Sequence, residues 1–414
     1  MIKVIDKSLC CGCNACVQRC PKHCIHMQAD KEGFLYPKVK ASQCIDCGLC
    51  EKVCPMSNSG ESELPLNVIA AKNRNDEHRH CSSSGGIFIQ MAHHVILNGG
   101  VVFGAVYDSN WQIYITHSVT IEGIHSMMGS KYVQANVGDS YCEAEHFLKS
   151  GREVLFTGTP CQIAGLKRYL YKDYPNLLAV DVICHGVPSP KVWHEYIKEI
   201  TEGLSTIRVA VGKNSVLSSS LNVVPAIAGI EFRDKSLHGW KKYSFVVRGK
   251  SDLQADKNTV LLSDIHNQNL FMKGFLSDLY LRPSCYSCVT KDGKSKSDIT
   301  LGDFWGIDRV MPDFDDDKGC SVVVVHSKKG MTLLNQINIE TRETSLDNVL
   351  KYNPSYRHSV RMPVTRSKFF KKFIWLSSMR FVTRSVFSRS MKTAYSTPFI
   401  LRLKTKIWLL LHSK

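Results

Sequence analysis

The segment CCGCNACVQRCP at residues 10–21 recurs as CIDCGLCEKVCP at residues 44–55, and this repeat decides the fold of the N-terminus. Both copies follow the spacing C-x2-C-x2-C-x3-C-P. Three thiolates at this spacing can surround three corners of a [4Fe-4S] cube, while the fourth cysteine crosses over to a second cube. The spacing therefore predicts two ligand sets, Cys10, Cys13, Cys16 and Cys54 for one cluster and Cys44, Cys47, Cys50 and Cys20 for the other.

Zinc is the alternative metal, because pairs of cysteines at C-x2-C spacing also bind this ion. A zinc site would need neither the third cysteine of each run nor the trailing Cys-Pro, so the complete pattern favours clusters. Residues 1–57 resemble a bacterial two-cluster ferredoxin, which implies a small α+β fold. Cys11 and Cys24 lie outside the pattern and are interpreted as packed thiols.

The charge of the chain is concentrated at its C-terminal end. Of 53 Lys and Arg against 37 Asp and Glu, fifteen basic residues and no acidic residue lie between positions 351 and 414, so the first 350 residues are almost neutral. This distribution argues against a nucleic-acid partner, because a general nucleic-acid binder would carry its basic residues on the folded body.

The seventeen cysteines also bear on the compartment in which the protein works. The N-terminus MIKVIDKSLC offers no apolar stretch of signal-peptide length, and the sequence contains no run of 18 apolar residues. We therefore expect a cytoplasmic protein, in which thiols stay reduced. Thiolate ligation of metal then explains so many cysteines better than disulfide bonds do.

Residues 58–65 form a polar linker, and the pattern changes after it. Residues 66–350 alternate apolar strand-length runs with helical segments, which predicts a mixed α/β domain. Residues 204–262 are more polar and predict a β-rich insertion, with strands at Ser205–Val211, Gly229–Arg233 and Tyr243–Val247. Residues 351–414 complete the chain as a basic helical tail.

A second set of cysteines lies in the α/β region. Cys285 and Cys288 form a C-x2-C pair, while Cys161 and Cys184 stand beside turn signals at the ends of two predicted strands. Strand ends of this kind surround the ligand crevice of an open α/β sheet, so the four thiols could converge on a third [4Fe-4S] cluster. The alternative is that Cys161 and Cys184 are buried thiols while the pair holds zinc or nothing.

The local sequences of this region resemble one known family. They are SSSGG (82–86), GSKYVQ (129–134), FTGTPCQ (156–162), CHGVPS (184–189), RPSCYSC (282–288) and DITLGDFWG (298–306). Together, in this order, they are similar to the family of coenzyme F420 hydrogenase/dehydrogenase beta subunits, whose bacterial members carry a two-cluster ferredoxin module in front. The resemblance implies a flavoprotein that holds FAD beside an iron–sulfur cluster.

The resemblance also implies residues that contact the flavin or move a proton. The expected flavin contacts are Ser83, Ser84, Gly85, Gly86, Ser130, Lys131, Tyr132, Asp303 and Trp305. The serine run could cradle the diphosphate at a helix start, although an ordinary helix cap is the alternative. His185 is the proton-transfer candidate because imidazole titrates near neutral pH, while a lone histidine is more often structural.

Other features lie outside the resemblance. Cys81, Cys142 and Cys320 are interpreted as buried small hydrophobic residues. The tail mixes cations with apolar side chains at Phe369–Leu376 and again at Leu401–Leu411. It could therefore lie on an anionic membrane surface, at the inner face of the membrane, or form a helical pair packed on the body.

Two functions fit these features. The first is an FAD- and iron–sulfur-dependent oxidoreductase that passes electrons between its clusters and FAD to reduce or oxidise an organic substrate, with a link to polysaccharide biosynthesis that the resemblance suggests. The second is an electron-transfer subunit that docks on a separate catalytic partner and has no substrate of its own. In both, a redox partner protein, either a ferredoxin-type donor or a catalytic subunit, exchanges electrons with the chain.

Overall fold

The computed structural model describes residues 1–211, 227–249, 259–378 and 385–395. Its strands are β1 Ile25–Ala29, β2 Leu35–Val39, β3 Asn67–Asn73, β4 Val101–Tyr107, β5 Ile113–Ser118, β6 Val154–Gly158, β7 Leu177–Val182, β8 Ile227–Asp234, β9 Ser244–Gly249, β10 Thr259–Ile265, β11 Ile299–Asp303, β12 Ser321–Val325 and β13 Ile339–Glu343. Its α-helices are α1 Ala15–Gln18, α2 Leu49–Lys52, α3 Asp76–His80, α4 Ile87–Leu97, α5 Ile121–His125, α6 Ser140–Lys149, α7 Pro160–Leu170, α8 Pro190–Val211, α9 Leu270–Leu276, α10 Ile307–Val310, α11 Lys328–Gln336, α12 Leu346–Tyr352, α13 Thr365–Ser378 and α14 Val386–Tyr395.

The ferredoxin-type module is a hairpin flanked by two short helices. β1 and β2 pair antiparallel, with Ile25 opposite Val39 and Ala29 opposite Leu35. Helices α1 and α2 each begin after a residue with a left-handed backbone, Asn14 at φ +66° and Gly48 at φ +73°. The two cysteine repeats thus fold into equivalent turns, each followed by a single helical turn, as an α+β ferredoxin module requires.

The α/β region is built on one eight-stranded mixed sheet with the strand order β13-β3-β12-β11-β7-β6-β4-β5. Strands β4, β6, β7 and β11 run parallel, while the strands on both sides of this group pair antiparallel. Parallel strands place their carboxyl ends at one edge of a sheet. The ends of these four strands therefore meet, and the candidate site lies there.

Both faces of this sheet are covered, which explains the continuous apolar runs of the central strands. Side chains alternate between faces along a strand. On one face, Phe103 and Phe156 pack with residues of α6, α7 and the ferredoxin-type module, Cys11 and Cys13 among them. On the other face, Leu155 packs with residues of α4 and α11. The ferredoxin-type module thus shares a hydrophobic core with the sheet instead of forming a separate body.

The insertion forms a separate three-stranded antiparallel sheet in the order β10-β9-β8. Its aromatic side chains Phe232 and Phe245 are buried against Trp193 of α8 and Phe271 of α9. The strand predicted at Ser205–Val211 is wrong, because α8 continues through this segment. Once a helix has formed, β-branched residues lower its stability by only a few tenths of a kcal/mol each, so the helix propagates through them.

The described part of the tail packs on the body. Phe369 and Phe373 of α13 are fully buried in the core that also contains α8, and Trp375 of the same helix is 49% exposed. The start of α14 donates backbone N–H groups of Phe387 and Ser388 to the carboxylate of Glu199. These contacts favour the packed helical pair for residues up to 395, while Leu401–Leu411 lies outside the described residues. Within the described ranges, no helix combines the length and apolarity needed to span a bilayer.

Candidate functional site

The first predicted cluster set comes together in the ferredoxin-type module. Cys54 lies close enough to Cys10, Cys13 and Cys16 for their thiolate charges to interact. Burial, followed by the neighbouring cysteines, raises the pKa of the Cys16 thiol to about 12. Because thiols must lose their protons to bind iron, such a set is stable as thiolates only with metal present.

The second predicted set surrounds a small cavity of its own. Cys20, Cys44, Cys47 and Cys50 all line this cavity, together with Cys24, whose sulfur lies 3.4 Å from that of Cys20. Cys47 is exposed, in contrast to the buried Cys20 and Cys50. The structure therefore assembles the crossed-over grouping that the spacing predicts, and one member of the second set faces solvent.

The four remaining predicted thiols also converge. Cys161 opens α7 just after β6, Cys184 follows β7, and Cys285 and Cys288 lie at a 3-10 turn at Pro283–Ser287. Their charges interact mutually, and burial raises the pKa of Cys285 to about 12. The backbone N–H of Val187 donates to the sulfur of Cys285 at 3.4 Å. This is a four-thiol donor set of the kind that a [4Fe-4S] cluster needs.

Arg282 connects the first and third thiol sets. Its side chain is fully buried, its Nε donates to the carbonyl of Cys10 at 2.7 Å, and its Nη2 lies 3.6 Å from the sulfur of Cys10. Its other hydrogen bonds go to Gln134 and to the carbonyl of Leu35. None of these partners within the described residues is a carboxylate. The thiolates are therefore the anions that can compensate this buried charge.

Cys11 forms a second connection between the same two sets. It is buried, and its thiol lies close enough to those of Cys13 and Cys161 for their charges to interact. Cys24 and Cys320 are likewise buried, whereas Cys81 and Cys142 are exposed, so the interpretation of the last two as buried thiols is wrong. Cys81 ends α3 and Cys142 lies on the outer side of α6, where no core reaches them.

A cavity of about 590 Å³ lies at the carboxyl ends of β6, β7 and β11. Its volume is in the range of a cofactor site. Most of the sequence-predicted residues line it, namely Ser83, Ser84, Gly86, Ser130, Lys131, Tyr132, Cys184, His185, Asp303 and Trp305. Gly85 does not line it; a side chain there would meet the carbonyl oxygen of Ala71 at 2.4 Å. Because Gly85 has no side chain, the loop can pack closely against β3.

The serine run forms one wall of the cavity without capping a helix. The residue before α4 is Gly86, at φ +79°, and no side chain caps this helix. The hydroxyls of Ser82 and Ser84 donate to backbone carbonyls, while the Ser83 oxygen accepts from the N–H of Ser130 at 2.7 Å. The Ser83 hydroxyl proton is therefore available to a ligand, and the hydrogen bond to Ser130 joins two loops of the wall.

Lys131 places a cation without an acidic partner at the cavity. Its Nζ donates to the carbonyls of Met128 and Gly129 at 3.0 and 3.2 Å, and no carboxylate pairs with it in the described part of the chain. Burial lowers the pKa of Lys131 to about 7. A bound anion would restore the charged form, so this lysine suits a phosphate group.

Asp303 and Trp305 line the cavity but are also committed to other contacts. Arg233 of β8 makes a bidentate ion pair with Asp303, at 2.7 and 3.0 Å, and donates to the hydroxyl of Tyr132 at 3.0 Å. The rings of Trp240 and Trp305 stack at 4.8 Å with an interplanar angle of 8°. These residues therefore fix the insertion against the sheet and close the cavity.

His185 is held at the cavity wall by a carboxylate. Its Nε2 lies 2.6 Å from Oδ1 of Asp278, and its ring packs edge-on to Phe275 at 5.2 Å. A carboxylate on one ring nitrogen fixes the ring orientation and leaves the other nitrogen for a proton donor or acceptor. Its position agrees with the predicted role in proton transfer, which stays a prediction.

Comparison with known proteins agrees with the modules that the geometry shows. Residues 151–347 match the family model for the C terminus of the coenzyme F420 hydrogenase/dehydrogenase beta subunit, and residues 9–58 match that of the 4Fe-4S dicluster domain. Residues 151–347, just under half of the chain, belong to the family of coenzyme F420 hydrogenase/dehydrogenase beta subunits. The sequence-based identification of this family is confirmed.

Individual relatives match different parts of the chain. The F subunit of the F(420)H(2) dehydrogenase of Methanosarcina mazei is 25% identical over 229 residues, which are 51% of this chain and 64% of that protein. An uncharacterised ferredoxin of Methanocaldococcus jannaschii is 40% identical over 57 residues, 13% of this chain and 86% of its own. A chain in the F420-reducing [NiFe] hydrogenase complex from Methanosarcina barkeri aligns with a TM-score of 0.44 at 17% identity, over 73% of this chain and 97% of that chain. This chain thus spans slightly less than two thirds of the dehydrogenase protein.

The chain therefore combines a 4Fe-4S dicluster module with a region of the beta-subunit family. The sequence did not point to three cavity residues of the insertion, Arg233, Lys241 and Tyr243, nor to His266 just after β10. The insertion's position above the strand ends depends on contacts between residues far apart in the chain. Arg282 was missed as well, although it opens the RPSCYSC segment that contains the C-x2-C pair.

Proposed function

We propose that this chain is an electron-transfer subunit that holds three [4Fe-4S] clusters and FAD and docks on a separate catalytic partner. One observation carries the proposal. Cys184 lines the cofactor-sized cavity and at the same time interacts with Cys161, Cys285 and Cys288. The four-thiol set and the cavity thus share a wall, and Arg282 and Cys11 lie between that set and the ferredoxin-type module.

The residues present fit three clusters. The two crossed-over sets of the ferredoxin-type module, Cys10, Cys13, Cys16, Cys54 and Cys20, Cys44, Cys47, Cys50, would hold one cluster each. The four thiols at the strand ends would hold the third. Buried Arg282 and the buried Lys291, whose Nζ donates to the carbonyl of Cys184, supply the positive charge that a buried anionic cluster needs.

The cavity residues also fit FAD. Lys131, the free hydroxyl proton of Ser83 and the N-terminal amides of α4 would bind the diphosphate. Tyr132 and Trp305 offer aromatic surface beside it. Bound FAD would supply exchange between single electrons and electron pairs, which thiolate-held clusters alone do not perform. The residues that line the cavity would orient the bound FAD and exclude water from the cavity wall at Cys184.

The docking of a partner is supported by the exposure of the second thiol set. Cys47 is exposed, and neighbouring Ile45 is 58% exposed. The members of the first and third sets are buried or half-buried. A redox partner, whether a ferredoxin-type donor or a catalytic subunit, would therefore approach at residues 44–48.

A second function is favoured by one specific observation, the His185–Asp278 pair at the cavity wall. A carboxylate-oriented histidine beside the cavity suits protonation of an organic substrate such as a deazaflavin. This pair supports the oxidoreductase hypothesis, whereas no feature of the described residues bears on polysaccharide biosynthesis. The prediction that the tail lies on an anionic membrane, at the inner face of the membrane, now concerns the basic residues of 396–414. These residues lie outside the described structure, so it stays a prediction.

Anaerobic purification with cofactor analysis tests the main proposal. We expect about twelve iron, from three cubes of four, and one FAD per chain. Flavin reduced by dithionite should be reoxidised rapidly only after the catalytic partner is added. Saturable reoxidation by free deazaflavin, lost in a His185→Gln variant, would instead establish the second function. About eight iron and no flavin would reject both cofactor assignments.

A further inference from the structure

Three histidines from three different helices meet next to the cavity wall. His78 lies on α3, His93 on α4 and His125 at the end of α5. One ring nitrogen from each lies within 4.8 Å of the other two, and the ring centroids of His78 and His93 are 4.8 Å apart. Such convergence needs an explanation, because three imidazoles gain little from one another as hydrogen-bond partners.

Two of these rings carry buried nitrogens without a partner. Nδ1 of His78 and Nε2 of His93 are buried and have no hydrogen-bond partner among the described residues. An unsatisfied buried polar atom lowers stability, and native proteins seldom keep two of them side by side. A cation coordinated by both nitrogens would remove this cost.

The chemistry of the donors selects the cation. Three neutral imidazoles form a typical zinc donor set, with Zn–N bonds of about 2.0–2.1 Å and a fourth position open to water. His125 is exposed, so an ion can enter from solvent.

We propose that His78, His93 and His125 bind one Zn²⁺ ion that clamps α3, α4 and α5 together. The loop 82–87 connects the first two of these helices, and the loop 126–132 follows the third. Both loops line the cavity, and the hydrogen bond from the N–H of Ser130 to Ser83 joins them. Zinc at the three histidines thus fixes the wall that carries Ser83 and Lys131.

Zinc retention by the untagged, cluster-loaded full chain tests the site. Protein exposed anaerobically to one equivalent of ZnCl₂ and desalted should keep about one zinc, with X-ray absorption showing imidazole nitrogens at about 2.0–2.1 Å and no sulfur near 2.3 Å. His125→Gln changes an exposed residue and should not impair folding. Loss of a residue that only hydrogen-bonds to a zinc ligand typically lowers metal affinity by roughly 10–100-fold. Loss of the ligand His125 itself should lower zinc affinity by at least this factor.

His94→Gln is the matched control, because His94 is the next residue on α4 and does not belong to the trio. It should keep zinc as the wild type does. In hydrogen exchange, zinc should slow residues 82–87 and 126–132 in the wild type and in His94→Gln but not in His125→Gln. Zinc bound through sulfur, equal retention by His125→Gln, or unchanged exchange of both loops would each overturn the proposal. None of these measurements depends on FAD or on electron transfer.

Discussion

Replacement of Arg233 by Met should destabilise the α/β region strongly. The guanidinium is almost fully buried, with 2% of the side chain exposed, and Asp303 accepts from both of its terminal nitrogens. Met keeps much of the side-chain volume but removes the charge. Among the described residues, Asp303 would then keep only the indole N–H of Trp240 as a hydrogen-bond donor, at 3.1 Å. The loss of stability depends on how much of its negative charge stays uncompensated.

The magnitude follows from the geometry of the pair. Removing one partner of a buried ion pair costs about 3–5 kcal/mol, because the other charge stays buried without compensation. Asp303 retains 18% exposure, facing the cavity, so water can reach it and the lower end of this range applies. We therefore expect a loss of about 3 kcal/mol in the free energy of unfolding.

A double-mutant cycle with Asp303→Leu measures the coupling. Replacing both partners by apolar groups is often nearly neutral, so the double variant should be more stable than Arg233→Met alone. Urea unfolding under anaerobic conditions, followed by tryptophan fluorescence from the stacked Trp240 and Trp305, gives the free energies. Lys241→Met, which removes a partly exposed ion pair with Asp315, is the control and should cost no more than about 1 kcal/mol. A loss below about 1 kcal/mol for Arg233→Met, or additive effects in the cycle, would refute the reasoning.

Three further expectations concern the metal set, the cavity cation and the tail. In the full chain, Cys285→Ser should lose about four of twelve iron, whereas Cys320→Ser, at a buried cysteine outside the three sets, should lose none in iron analysis. FAD affinity, measured by fluorescence titration, should fall by up to about tenfold per pH unit as the pH rises through 7, because Lys131 loses its proton there. The Lys131→Met variant should bind FAD more weakly, and its affinity should not depend on pH in this range. Phe373→Ala should lower the free energy of unfolding in urea by about 3–5 kcal/mol, because the Phe373 ring is fully buried. Trp375→Ala should lower it much less, because Trp375 is half exposed on the same helix. Equal losses for the two variants would contradict a tail packed on the body.

The features that the sequence predicts well are those set by local spacing. The two cysteine runs close their turns within twelve residues, and the turn signals after β6 and β7 mark strand ends by short-range rules. Because β6, β7 and β11 are parallel neighbours, residues after each strand converge without further information. This is why Cys161, Cys184, Asp303 and Trp305 lie around one site.

The features that the sequence does not show depend on distant contacts. Arg233 and Asp303 are 70 positions apart and meet only because the insertion folds over the strand ends. His78 and His125 lie on separate short helices, α3 and α5, and no local sequence pattern shows that they meet. Segment 205–211 is rich in β-branched residues, and its helix is decided by the continuation of α8.

The linker at residues 58–65 is a boundary in composition but not in packing. Asn14 of the ferredoxin-type module donates to the carbonyl of Gly138 at 2.6 Å, and Gln134 donates to the carbonyl of Cys11 at 3.0 Å. Buried Arg282 belongs to the α/β region but uses the carbonyl of Cys10 as a partner. Without the module, this cation would lose that partner and the adjacent thiolate, and Cys161 would lose its contact with Cys11. The third thiol set is therefore completed electrostatically by the first, so the two thiol sets and the cavity wall form one interdependent unit.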